Sequence, residues 1–200
     1  MRPAAEAARW TDSLHGEPMI LTPEIDGTVS IQSSAEKFLQ AFRQRVAAGL
    51  LSGRPHPRSN YVVSESDPTH LEVRAANWWT AINVGLNRLE LRHSPPNMIR
   101  YHVQYWRWAR YALGLSGALG LVGLVLLLSF DVRGYIARHQ NSMVPGLSIE
   151  QNLFIAWLMA LFWGFVWPWL LISMHKRPLH RLVTHLIAEV DGDAASAKRS

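Results

Sequence analysis

Tyr111 to Phe130 read YALGLSGALGLVGLVLLLSF, twenty residues without a charged side chain. At about 1.5 Å of rise per residue this run makes a helix about 30 Å long, the thickness of a bilayer's hydrocarbon core. Its leucines, valines and Phe130 each favour insertion by about 0.3–0.6 kcal/mol, on the order of 5 kcal/mol together. A helix of this length in a soluble core would carry charge on its outer side, so a membrane span is expected. A second uncharged run, NLFIAWLMALFWGFVWPWLLISM, extends from Asn152 to Met174 and is closed by His175, Lys176 and Arg177. Pro145 and Gly146 mark a turn before it, and Ser148 and Gln151 have the spacing of a capping box. Pro168 predicts a kink, which a membrane helix tolerates.

Basic residues near the spans set the expected orientation. Arg92, Arg100, Arg107 and Arg110 precede the first span, and Lys176, Arg177 and Arg181 follow the second. The connecting segment holds only Arg133 and Arg138. Positive charge resists translocation, so both termini are expected in the cytoplasm, with Arg107, Arg110, Lys176 and Arg177 as the topology-setting residues. Trp106 and Trp108 fit the headgroup level. The chain start lacks the apolar run of a cleavable secretory signal. Arginine outnumbers lysine 17 to 3, which suggests a high-GC genome and a bacterial inner membrane.

Neither span holds Asp, Glu, Lys, Arg or His, which argues against a pump or coupled transporter. Both carry small residues at four-residue spacing: Ala112, Ser116 and Gly120 in the first, and Ala156, Ala160 and Gly164 in the second. Such stripes let helix backbones approach closely, within the hairpin or between copies of the chain. Trp163 lies near mid-span and must face lipid or a partner.

Before the spans, residues 19–105 predict a small cytoplasmic α+β domain. Thr28 to Gln32 alternate as a strand. Ser33 and Glu36 suggest a capping box opening a helix over 33–52, whose apolar face is Ala35, Phe38, Leu39, Phe42, Val46 and Leu50; Gly53 ends it. Strands are expected at Tyr61–Glu65, His70–Ala75, through Ile82, Val84 and Leu86, through Leu89 and Leu91, and from Ile99 to Tyr105. One helix on a mostly antiparallel sheet is the natural two-layer arrangement. Phe38, Leu39, Phe42, Val46, Leu71, Val73, Ile82, Val84 and Leu89 are its expected core. Trp78 and Trp79, placed between two strands, either wall a pocket or serve packing.

After the second span, Leu179, Leu182, Val183, Leu186, Ile187 and Val190 recur at helical spacing. This amphipathic helix could lie on lipid, dock on the α+β domain or pair with a copy of itself. Asp191, Gly192 and Asp193 are expected to end it. The organisation is therefore a flexible tail (1–18), the domain (19–105), a juxtamembrane segment and first span (106–130), an external loop (131–151), the second span (152–175), and a cytoplasmic helix and tail (176–200).

The chain has no cysteine, which excludes disulfides, thiolate metal sites and cysteine nucleophiles. Phosphate-binding and zinc-protease motifs are missing, and Gly114-Leu115-Ser116-Gly117 fails as a nucleophile elbow because Ala118 stands where glycine is needed. His175, His180 and His185 are spaced by five and do not converge on one metal. Asp67/His70 and Glu90/His93 are neighbours without an assignable third partner. Hydrophobic content of 48% and charged content of 18% exclude a disordered chain. The net charge of +5 is concentrated beside the spans, which excludes a basic nucleic-acid module. The sequence thus predicts a non-catalytic integral membrane protein without metal or cofactor. Its partners are the bilayer and either a cytoplasmic protein or a second copy. A ligand-sensing domain coupled to the hairpin and an oligomeric pore are the alternatives.

Overall fold

The computed structural model describes residues 22–51, 61–139, 144 and 146–196. The expected tail at 1–18 and the helix stop at Gly53 lie outside them. The elements are β1 (Glu24–Ser30), α1 (Ala35–Ala48), β2 (Tyr61–Ser66), β3 (His70–Ala75), α2 (Trp78–Val84), β4 (Arg88–Ser94) and β5 (Met98–Gln104). There follow α3 (Trp106–Ser129), α4 (Val132–His139), α5 (Ile149–Leu161), a π-helical turn (Phe162–Val166) and α6 (Trp167–Ser196).

The five strands form one antiparallel sheet in the order β1-β5-β4-β3-β2. Alternation along each strand sends Leu71, Val73, Leu89, Leu91, Ile99, Tyr101 and Val103 to one face, where all are buried. Phe38, Leu39, Phe42 and Val46 of α1 pack there, as the periodicity predicts. Leu179, Val183, Leu186, Ile187 and Val190 of α6 join the same core. The C-terminal amphipathic helix is therefore the second helix of the layer, docked on the α+β unit.

Several local expectations are corrected. The first strand spans Glu24–Ser30 rather than 28–32, because the backbone N–H groups of Gln32 and Ser33 donate to Asp191 at 2.8 and 3.0 Å and leave the ladder. The Ser33 hydroxyl donates to the same carboxylate at 2.6 Å, so Ser34 becomes the N-cap of α1 and the Ser33–Glu36 capping box does not form. The helix ends at Ala48, with Gly49 taking the positive φ. Ile82 and Val84 lie in a helix, not a strand: Asn77 Oδ1 accepts the Thr80 N–H at 2.8 Å, and Gly85 ends the helix at φ 78°. Val84 is only partly buried. Asp191, Gly192 and Asp193 do not end the last helix, which runs through Ser196.

Two helices are long and apolar enough to cross a membrane. Trp106–Ser129 has a mean hydropathy of 2.2, and the continuous helix Ile149–Ser196, π turn included, reaches 1.9. Only 11% and 17% of their most apolar segments are buried within the protein, unlike core helices of a soluble fold. The second helix begins with the expected box: Gln151 N–H donates to Ser148 Oγ at 3.2 Å, and Ser148 N–H donates to Gln151 Oε1 at 2.9 Å. The π turn precedes Pro168, whose ring would crowd the carbonyl of Gly164 four residues back; the wider turn there relieves that conflict. Between the two apolar helices, part of the segment expected as a loop is α4.

Candidate functional site: the open face of the sheet

The face of the sheet opposite α1 and α6 has no helix over it among the described residues, and it is polar. Register places Asp26, His102, Glu90 and Glu72 in one row across the strands. Glu24, Gln104, Arg88 and Arg74 form the next row, and Thr28, Arg100, Arg92 and His70 the row on the other side. Glu72 lies at the centre. Its carboxylate accepts from Ser64 Oγ at 2.6 Å and pairs with Arg74 and Arg88. Arg88 also reaches Glu90 at 2.9 Å, and Arg92 reaches it at 3.5 Å.

The two signs are layered by depth. The Glu72 and Glu90 side chains are 1% and 14% exposed, whereas Arg74 and Arg92 are 55% and 64% exposed. The carboxylates lie against the sheet and the guanidinium groups project above them, so the outermost layer of the central strands is cationic. Burial alone would raise the Glu72 carboxyl; the donors Ser64, Arg74 and Arg88 outweigh it and hold the group below its ordinary value. At the sheet's outer side, His102 meets Asp26 at 2.8 Å.

Toward the β2–β3 turn the face dips into an open depression of about 360 Å³, lined by Glu65, Asp67, Thr69, His70, Arg88, Arg92 and His93. Asp67, held below its ordinary range by the Thr69 N–H and hydroxyl, shapes the turn. His70 Nε2 and Arg88 Nε are buried without a hydrogen-bond partner. The depression thus brings Asp67 and His70 together with His93. Glu90, paired in sequence with His93, is instead tied to the arginines.

The other sequence candidates fall elsewhere. Gly120 and Gly164 face each other at the crossing of the two apolar helices, where a Cβ on either would meet the other's Cα. Ala112 is buried, Ala160 lies opposite Gly123, and Ser116 and Ala156 are half-buried. Arg107 and Arg110 begin α3, and Lys176 and Arg177 lie in α6. The Trp108 and His175 rings stack at 4.2 Å, which brings these four cations to the same end of the helix pair. Arg110 lies over the Trp106 ring at 5.9 Å. Trp78 and Trp79 open α2 and are exposed, with the Trp78 ring against Tyr111 of α3.

Two placements were not legible in the sequence, and a third was only one of several readings. The open arginine face needed the register, which no single strand reveals. The docking of α6 was one of three readings of a visible apolar stripe. Asp191, taken as a helix terminator, instead holds the turn between β1 and α1. Among the described residues no His, Asp and Glu cluster could hold a metal ion. Comparison with known proteins gives no matching family model, no similar curated protein and no similar solved structure.

Proposed function

We propose that the chain is a non-catalytic integral membrane protein that presents its α+β unit at the membrane surface as a docking platform, with the open sheet face as the platform. The observation that carries this reading is the layered charge of that face: sunk carboxylates with projecting guanidinium groups at Arg74 and Arg92. The carboxylates stiffen the arginines from below, and the exposed tips suit an acidic protein surface. Rigid attachment supports the same role. β5 passes into α3 across Tyr105 alone, and α6 runs from the second apolar segment into the core. The platform is held at a fixed attitude. The basic residues beside the spans support a cytoplasmic side for both termini, and the arginine-rich composition supports a bacterial inner membrane.

The experiment is site-specific photo-cross-linking in cells. A photoreactive residue at position 92 or 100 should give a discrete adduct; one at Lys37, on the outer side of α1, should not. An adduct of twice the chain mass identifies self-association, and any other discrete mass identifies a different protein. Adducts equally strong at position 37, or none at 92 and 100, overturn the reading.

A second reading is a small-ligand sensor. The depression between His70 and Arg88 favours it, because both carry buried nitrogen atoms without partners. Added small anions should then raise the thermal midpoint, and His70→Ala should abolish the shift.

A further inference from the structure

We infer that α2 is a lipid anchor: Trp78 and Trp79 lie in the headgroup layer of the bilayer, beside the start of α3. The inference rests on the reading of α3 as a membrane span and adds a third attachment to it.

Trp78 and Trp79 are 50% and 67% exposed, an unusual amount of indole surface for one turn of helix. The rings touch each other edge-on at 5.4 Å, and Trp78 meets the Tyr111 ring edge-on at 6.2 Å. Tyr111 opens the uncharged run, so this apolar edge is continuous with the surface of the span. From Trp106 to Tyr111 the helix climbs about 7.5 Å, close to the depth of one interfacial layer. Indoles favour that layer, because the ring body is apolar and its N–H still reaches polar headgroups.

The helix cannot turn the tryptophans inward. Thr80, Ala81 and Ile82 of the same helix are already buried, which fixes its rotation. Asn77 caps its start, and Gly85 at its end lies against the His175 ring of α6. The tryptophans are therefore held outward at the level where the span begins. The occupant that matches this position is the lipid interface.

Spin labelling tests this on the full chain in lipid nanodiscs. The protein has no cysteine, so single variants take one label each. Trp79→Cys and Trp78→Cys report the anchor, Leu119→Cys the exposed middle of α3, and Lys37→Cys a water reference. Apolar oxygen and a water-soluble nickel chelate then compete to relax each label. The oxygen-to-nickel ratio at positions 79 and 78 should lie several-fold above that at 37 and below that at 119. A ratio at 79 and 78 equal to that at 37 overturns the anchor and leaves the span intact. Shielding from both reagents also overturns it, because a protein surface or a second copy then covers the edge. A water-like ratio at 119 removes the membrane reading and the anchor with it.

Discussion

Asp191 joins residues 159 positions apart, and three hydrogen bonds converge on its buried carboxylate. Bonds to a charged acceptor are worth more than neutral ones, and their loss leaves the Gln32 and Ser33 N–H groups unpaired. Asp191→Ala should cost about 2–4 kcal/mol of stability, seen as a lower unfolding midpoint in detergent, whereas Asp193→Ala, exposed nearby, should cost little. Glu72 gives a pH-dependent counterpart. Its carboxyl is held below its ordinary value of 4.5, so it contributes stability that is present above that value and is lost as pH falls through the folded-state value. Acid should therefore lower the midpoint of the native chain, and Glu72→Gln should lower the midpoint at neutral pH while flattening the acid limb. Neither role was legible in the sequence. Both depend on partners that only the strand register or the return of α6 brings near, and a lone Asp beside glycine reads as a stop signal.

Elements with a long apolar rhythm were legible. Phe38, Leu39, Phe42 and Val46 recur over several turns, and Tyr101 and Val103 alternate in a strand, so each pattern repeats often enough to select one period. The Trp78–Val84 segment has only seven residues. Ile82, Val84 and Leu86 match period two by chance, while the Asn77 cap and the Gly85 left-handed end decide for helix. The crossing of the apolar helices is a firmer case. Small residues marked the stripes, but only the structure pairs Gly120 with Gly164. An ideal Cβ at Gly123 would lie 3.5 Å from that of Ala160, within disulfide range. Gly123→Cys combined with Ala160→Cys should cross-link on oxidation, read as a mobility shift on non-reducing gels. Adding Gly120→Leu should sharply reduce the yield, because its side chain enters the Gly164 backbone and pushes the helices apart.

At the scale of the whole molecule, the fold constrains how the chain enters the membrane. The sheet precedes the first apolar helix, and α6 emerges from the second to bury Val183, Ile187 and Val190 in the core beneath that sheet. The two flanks of the hairpin therefore have to meet on one side. Reporters fused to the chain start and after Ser200 should give the same sidedness, and one inserted at Gly146 the opposite. In the proposed topology the basic clusters at Arg107, Arg110, Lys176 and Arg177 hold the joined side in the cytoplasm. Neutralising these four and adding two lysines to the loop weakens that preference. It does not supply a route for a folded sheet across the bilayer. The expected product is a chain trapped between orientations, with its first flank inside and α6 stranded outside. It would be seen as opposite reporter signals at the two ends, a lowered midpoint and rapid proteolysis. Ile187→Asp, made without any change in charge near the spans, should reproduce the lowered midpoint while the reporters stay on one side. That separates loss of α6 docking from loss of topology. Clean inversion of all three reporters with an unchanged midpoint would mean that the sheet folds only after insertion, and that the charges act before the core exists.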